Sequence, residues 1–432
     1  MTYLQILDLK RMEILNSVRR TLTLAGHRPD GSVALRTHLF TTFLVCYAMD
    51  LIYSMFLEST GDIKKILVVK ELTSIVMALV LIPGSPGVYK LCQVVEAQMR
   101  RNILQPIVPE VAQIRSQLDL EHNKTGKKIY KTLVLIIIVY VSVPVLQSVF
   151  IIAIHKIPIL SKFKMMIIRN HNNETIMKTL DVEEDLPLVF HFYYPPGLAT
   201  LWFYFILSSC HAMWCIWICL YLYSIFNSAM MSIKNTISEM KALGVAFERI
   251  DEITGQKIDK EKFVENINYP VDNINNQANK ILLKDYFRLI VIQHQLVCRD
   301  LRSIDQGLKT VIVALDVAFG LHMCLAIYCI IKMESFSLKI DYTVLLFWLM
   351  TIVYNYSAIG QQITNEGDAL TMKIYDSAWI DKPQSIKKSL LLVLTRATRR
   401  MELKPYGIYV LNLTSFKNVS WFIFHPKFIY KL

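Results

Sequence analysis

Seven apolar runs divide the basic residues of this chain very unevenly. The runs extend from Leu39 to Leu57, Ile66 to Ile82, Leu133 to Ile154, Leu198 to Phe226, Val311 to Ile331, Tyr342 to Ile359 and Tyr406 to Tyr430. A helix crosses the hydrocarbon core of a bilayer with about 20 mostly apolar residues, so each run is a candidate span. If the N-terminus is cytosolic, 34 of the 47 Lys and Arg lie in cytosolic segments and 12 outside, with Lys70 inside the second run. Basic residues accumulate in cytoplasmic loops, which predicts a cytosolic N-terminus and an extracellular C-terminus. The expected fold is an all-α integral membrane protein of seven transmembrane helices.

Composition agrees with one polytopic membrane domain: 53% of the 432 residues are hydrophobic and only 14 are glycine. The net charge of +12 would suggest nucleic acid in a soluble protein. Here most of it sits in cytosolic segments, where it sets orientation and faces anionic membrane lipid, so no nucleic-acid partner is expected. The first 30 residues carry Lys10, Arg11, Arg19, Arg20 and Arg28 without an apolar h-region, so no cleavable signal peptide is expected and the first span serves as insertion signal. Cys46, Cys210, Cys215, Cys219, Cys324 and Cys329 fall in spans, and Cys92 and Cys298 fall on the cytosolic side. That distribution offers no extracellular disulfide framework, and the Cys210, Cys215, Cys219 spacing reads as packing in an apolar helix. No metal and no cofactor is expected.

The segment 1–38 reads as an amphipathic cytosolic helix lying on the inner membrane face, with Leu4, Leu7, Ile14 and Val18 interleaved with charge and a turn at 27–31. Residues 39–226 hold the first four spans, including a long polar outside loop, 155–197, whose Asn173-Glu174-Thr175 sequon makes Asn173 the candidate glycosylation site. The cytosolic stretch 227–306 repeats Ile233, Ile237, Met240 and Leu243, then Ile281, Leu282, Tyr286 and Ile290, at helical spacing. Spans four and five should therefore continue as helices into the cytosol, separated by a polar break around 251–279. Spans five and six occupy 307–361. A cytosolic helix is expected from about Gly367 to Arg400, within an anchor segment 362–404 that carries Leu370, Ile374, Trp379, Leu390, Leu391, Leu392 and Leu394. Cytosolic helices with apolar faces need a partner to bury against, which suggests association below the membrane. The last span is 405–432.

The C-terminal third carries Gly360-Gln361-Gln362-Ile363-Thr364-Asn365-Glu366, then Ile374-Tyr375-Asp376-Ser377-Ala378-Trp379, a leucine run into Arg396-Ala397-Thr398-Arg399-Arg400, then Gly407 and Leu411-Asn412-Leu413-Thr414-Ser415-Phe416. In this order the motifs resemble the end of insect odorant receptors, and Leu186-Pro187 with Tyr194-Pro195 is similar to the pairs that family shows before its fourth helix. The resemblance implies a tetrameric, odorant-gated, nonselective cation channel in the plasma membrane of sensory neurons. It also implies a ligand-tuned subunit that joins a shared co-receptor subunit in a hetero-tetramer, because the middle cytosolic region is shorter than the co-receptor's and the C-terminus reads differently.

In that family a small volatile organic ligand sits in an apolar cavity between helices two, three, four and six. The corresponding depth here holds Thr73, Val76, Gln147, Ser148, Ile151, Tyr204, Phe205, Ser208, Phe347, Trp348 and Ile352. Aromatic groups would supply dispersion contacts and Ser or Gln one hydrogen bond. The last span is the candidate pore helix, with Ser415 and Asn418 along it. Phe428, Ile429 and Leu432 form either an apolar gate that blocks ions by dewetting or an aromatic belt at the outer interface. The chain departs from the family pattern after Phe416: Pro426 breaks the helix ladder and Lys427 near the outer mouth repels cations.

Ionisable groups inside spans are costly to bury and so are candidates for function. Asp316 either pairs with a cation or a neighbouring helix or faces water, Asp50 should hydrogen-bond between helices, and His211 and His322 read as hydrogen-bonded packing residues. No metalloprotease helix, phosphate-binding glycine loop or nucleophile elbow is present in the sequence, so an enzyme is not expected. A gustatory-type channel shares the architecture but not its usual last-helix signature. A G-protein-coupled receptor would have the opposite orientation.

Overall fold

The structure, a computed structural model, describes residues 35–57, 68–69, 71–76, 79, 85–101, 200–250, 274–332, 336–377, 379–380 and 382–423, with isolated positions before and between them, Arg19 among them. Most of the third apolar run and the whole of the long outside loop lie outside the described residues, and so do Asn173, Gln147, Ser148, Ile151, Pro426, Lys427, Phe428, Ile429 and Leu432. The described helices are α1 (Leu35–Leu57), α2 (Ser85–Arg100), α3 (Leu201–Glu248), α4 (Ile274–Lys332), α5 (Phe336–Asp376), α6 (Gln384–Ala397) and α7 (Leu413–Ile423). Three of these helices, within Leu201–Glu248, Leu283–Lys332 and Tyr342–Asp376, are long and apolar enough to cross a membrane.

Length settles how far these helices reach. At a rise of about 1.5 Å per residue, the 48 residues of α3 span about 72 Å and the 59 of α4 about 88 Å, against a hydrocarbon core of about 30 Å. Both run far beyond the bilayer, as the periodicity after Asn227 requires. Thr200 starts α3 by accepting a hydrogen bond from the Phe203 amide at 3.3 Å, the ordinary way to satisfy an orphan first-turn donor. α4 begins at Ile274, five residues before the expected end of the polar break.

α3, α4 and α5 pack against one another, α2 lies on α3 and α4, and α6 and α7 lie on α4 and α5. The largest core cluster lies towards the C-terminal end of α3 and the N-terminal part of α4. There Leu243 and Phe247 of α3, Ile290 and Ile304 of α4, Ile363 and Ile374 of α5, and Leu390 of α6 are buried together with Leu403. Each such aliphatic or aromatic side chain contributes about 1.5–3 kcal/mol by leaving water. A middle cluster joins α2, α3, α4 and α5 through Val88, Tyr221, Phe319 and Leu349. An outer cluster joins α1, residues 68–79 and α3 through Leu51, Ile75 and Trp214. Two close backbone approaches demand glycine. A Cβ on Gly87 would lie 2.3 Å from the Gly307 carbonyl oxygen, and one on Gly360 would lie 2.1 Å from that of Leu411.

Two expectations need correction. The single helix expected from Gly367 to Arg400 is two helices, because Pro383 cannot donate to the ladder and its ring displaces the preceding turn. α5 ends at Asp376, the chain turns through Trp379 and Lys382, and Pro383 leads into α6. α5 itself runs without a break through residues 361 and 362. The seventh apolar run does not become helix at Tyr406. Residues 401–412 form a strap along α4 containing a short turn, Pro405–Gly407, in which Tyr406 has φ of 52° and Gly407 of 71°. The helix begins only at Leu413.

Candidate functional site

Of the ligand-contact positions expected on α3, Tyr204 and Ser208 are buried one turn apart, while Phe205 lies on the exposed face. On α5, Trp348 and Ile352 are half-buried against the middle cluster, alongside Trp217, Ile218 and Tyr221, whereas Phe347 is exposed. Thr73 already donates its hydroxyl to the Val69 carbonyl at 2.8 Å, and Val76 is exposed. The structure therefore brings the α3 and α5 positions Tyr204, Ser208, Trp348 and Ile352 inward, and turns Val76, Phe205 and Phe347 outward.

The sequence singles out His211 and His322 but not the aromatic groups that face inward beside them. Trp214, Trp217 and Tyr221 stack in a column along α3, with ring centroids 5.9 and 5.7 Å apart and interplanar angles of 14° and 4°. Tyr47 of α1 meets the His211 ring at 5.8 Å. Ser74 and His322 are hydrogen-bonded at 2.9 Å, and His322 also reaches the Ala318 carbonyl at 2.7 Å, so His322 is the packed, hydrogen-bonded residue expected. The available signal is the recurrence of large or polar residues at 204, 208, 211, 214, 217 and 221, in steps of three or four, which trace a stripe that winds slowly around the helix. An evenly apolar helix obscures such a stripe.

The start of α7 is held by polar contacts. Along α4, Asp305 accepts the Lys404 amide at 2.8 Å, Thr310 and Tyr406 share a hydroxyl hydrogen bond at 2.8 Å, and the Lys309 ammonium lies 4.9 Å from the Tyr406 ring centre. Asp316 accepts from two phenols, those of Tyr356 on α5 and Tyr409 on the strap. It therefore pairs with neighbouring elements, the first of its two expected alternatives. Asn412 caps α7 by accepting the Ser415 amide at 2.8 Å, and the Ser415 hydroxyl donates to the Val410 carbonyl at 2.7 Å. Tyr354 of α5 meets Phe416 edge-on at 5.7 Å. Of the two described pore candidates, Ser415 is thus half-buried at the helix start and Asn418 is exposed one turn on.

A polar seam runs beside the largest core cluster. Arg101 grips Asp300 through two contacts of 2.5 and 3.0 Å, the bidentate geometry that suits a guanidinium and a carboxylate. The Gln98 amide donates to Thr236 at 2.9 Å, the Gln293 amide donates to Glu239, and the Tyr286 hydroxyl donates to the Ala246 carbonyl at 2.7 Å. Hydrogen bonds from Arg19 and Arg100 hold Glu96 below the usual carboxylate range. Burial, helped by nearby Arg396, pushes the His294 imidazole down to about 4, which keeps it neutral at physiological pH. Burial pushes the Cys92 thiol up to about 11 and raises that of Cys298, so neither has the thiolate character of a reactive cysteine. Among the described residues, no group of three His, Cys, Asp or Glu side chains could hold a metal ion.

The family model described as "7tm Odorant receptor" matches residues 114–424. Odorant receptor 10 of Aedes albopictus is 22% identical over 102 residues, covering 24% of this chain and 27% of that protein. Odorant receptor 49a of Drosophila melanogaster is 24% identical over 135 residues, covering 31% and 34% respectively. The chain thus spans about a third or less of the length of these relatives. The solved structure of the insect olfactory receptor OR5 from Machilis hrabei covers 98% of this chain and 99% of its own, with a TM-score of 0.64 at 11% identity. The same receptor in complex with eugenol matches with a TM-score of 0.63 and 11% identity, covering 98% of both chains. With its bilayer-length helices, the chain has the fold of an all-α, multi-pass membrane protein.

Proposed function

We propose that this chain, which belongs to the 7tm odorant receptor family, is a ligand-tuned subunit of an odorant-gated, nonselective cation channel. The observation that carries the reading is the match of the family model over residues 114–424, together with a fold shared with an olfactory receptor over nearly its whole length. A small volatile organic molecule would bind in the outer half of the helix bundle, against Tyr204, Ser208, Trp348 and Ile352 from the described residues. Gln147, Ser148, Ile151 and Thr73 would complete the cavity, with Val76, Phe205 and Phe347 at its margins. Such a site suits a weakly polar ligand, since aromatic walls supply dispersion and one or two hydroxyl groups fix orientation. Machilis hrabei OR5 has been solved with eugenol, which is a ligand of that size.

Seven spans, with a cytosolic N-terminus and an extracellular C-terminus, would place the inner core of α3 to α6 below the membrane as an anchor. Exposed apolar residues there, among them Tyr375, Leu391 and Leu392, favour cover by neighbouring subunits. The partners would be a co-receptor subunit in a hetero-tetramer and the lipid of a sensory-neuron plasma membrane. Four copies of the last helix would surround the pore, with Ser415 and Asn418 along it, Phe428, Ile429 and Leu432 near the outer mouth, and Asn173 glycosylated outside. Whole-cell recording of the chain with and without a co-receptor, across a panel of volatile esters, alcohols and phenols, tests this. An evoked cation current that needs both subunits is expected. An N-terminal tag reachable from outside intact cells would overturn the topology and the channel reading with it.

A further inference from the structure

We propose that Asp316 is a positioning residue that ties the start of α7 to both α4 and α5, so that motion of α5 reaches α7. The inference rests on the channel reading, in which α7 lines the pore. Its basis is a single carboxylate shared by two phenols from different elements: Tyr356 of α5 donates to Oδ1 and Tyr409 of the strap donates to Oδ2. Charge-assisted hydrogen bonds of this kind are short and directional, and a carboxylate in a membrane span is costly unless such partners satisfy it.

Spacing supplies the transmission. Trp348, Ile352, Tyr356 and Gly360 recur every four residues and so share one stripe of α5. The outer two are candidate ligand contacts, the third donates to Asp316, and the fourth is the point where α5 touches the Leu411 backbone. From Trp348 to Tyr356 is about 12 Å of continuous helix. A turn or tilt of α5 imposed by a ligand at Trp348 is therefore felt at Asp316. Tyr409 lies three residues before Asn412, the cap of α7, so what moves Asp316 relative to the strap moves the helix start. Two other polar strap contacts, Asp305 with the Lys404 amide and Thr310 with Tyr406, join it to α4. Asp316 is where a polar tie to α5 is added.

The test compares Tyr356→Phe, Tyr409→Phe, the double variant and Asp316→Asn, with Tyr354→Phe as control, each co-expressed with the co-receptor and stimulated with the strongest activator from the volatile panel. Each single Phe variant should raise the half-maximal concentration at least about fivefold at unchanged surface level. The double variant should be no worse than the more impaired single, because both hydroxyls act through one carboxylate, and Tyr354→Phe should match the parent. Singles that behave like the parent, effects that multiply in the double, or losses that track surface level would each overturn the proposal. Hydrogen exchange on the purified full chain tests the tie independently of conduction. Amides of 401–412 should exchange at least about tenfold faster in Asp316→Asn and Tyr409→Phe, with α6 unchanged; equal exchange would refute it. If the parent channel gives no evoked current with any volatile, the channel reading fails, and the exchange result still decides the tie.

Discussion

Adding one methyl group at Gly360 tests the placement of the strap against α5. An ideal Cβ there would lie 2.1 Å from the Leu411 carbonyl oxygen and 2.9 Å from its carbon. Ordinary carbon–oxygen contact needs about 3.3 Å, so the strap must retreat by about 1 Å. Overpacking of this size costs about 1–3 kcal/mol, and alanine returns about 0.5–1 kcal/mol of helix propensity, leaving a net loss of about 1–2 kcal/mol. Gly320 of α4 is the internal control, since a Cβ there meets nothing within 4 Å. Gly320→Ala should therefore gain about 0.5–1 kcal/mol from propensity alone. Thermal melting of the detergent-solubilised chain, followed by fluorescence-detected size exclusion, should rank Gly320→Ala at or above the parent and Gly360→Ala about 1–2 °C below it. A Gly360→Ala variant that melts at or above the parent would refute the close approach and with it the position of the segment leading into α7.

Three further outcomes follow from the largest core cluster and the polar seam beside it. Arg101→Met leaves Asp300 as a buried charge without its guanidinium, which should cost about 3–5 kcal/mol; the double Arg101→Met, Asp300→Leu should recover much of the loss in the same melt, and no recovery would mean the pair is not coupled. His294 has a folded value of about 4, below its ordinary 6.5, so the folded chain refuses a proton that the unfolded chain accepts. Its contribution is full above about pH 6.5 and declines by about 3 kcal/mol as pH falls toward 4; His294→Gln should lose that part of the pH dependence, and parallel melting profiles for the two proteins would contradict it. Leu390→Ala should cost about 2–5 kcal/mol, because Leu390 is 1% exposed. Leu392→Ala, at 73% exposure, should leave the melt within about 0.5 kcal/mol yet weaken assembly on size exclusion; a melt as damaged as that of Leu390→Ala would place Leu392 in the core instead.

Much of the long-helix architecture could be read from periodicity. Ile233, Ile237, Met240 and Leu243 announced that α3 continues past the bilayer, and the structure buries Ile233, Ile237, Met240 and Leu243 in the inner core. The leucine run was harder. Leu390 is buried, but Leu391 and Leu392 face outward, so counting leucines says less than their phase on the helix. Pro383 alone could have located the break between α5 and α6, but the apolar run on either side masked it. The strap was read as part of a span because Tyr406, Ile408, Tyr409 and Val410 are apolar, and composition does not report that Tyr406 takes a positive φ. The partners of Asp316 were out of reach for a different reason. Tyr356 and Tyr409 lie 40 and 93 residues away, and periodicity on one helix says nothing about which neighbour faces it. The glycines at 87 and 360 likewise declare their role only when the opposing backbone is known.

The most direct test of an odorant-gated pore lined by the last helix is thiol accessibility at Asn418, which is exposed on α7. Asn418→Cys, co-expressed with the co-receptor, is recorded under the strongest volatile activator while a charged methanethiosulfonate reagent is applied from outside. The account predicts a cation current that falls on modification of Asn418→Cys and is unchanged in the parent chain with its own cysteines. An evoked current that the reagent leaves untouched would contradict the pore assignment, and a volatile response without any conductance would contradict the channel itself.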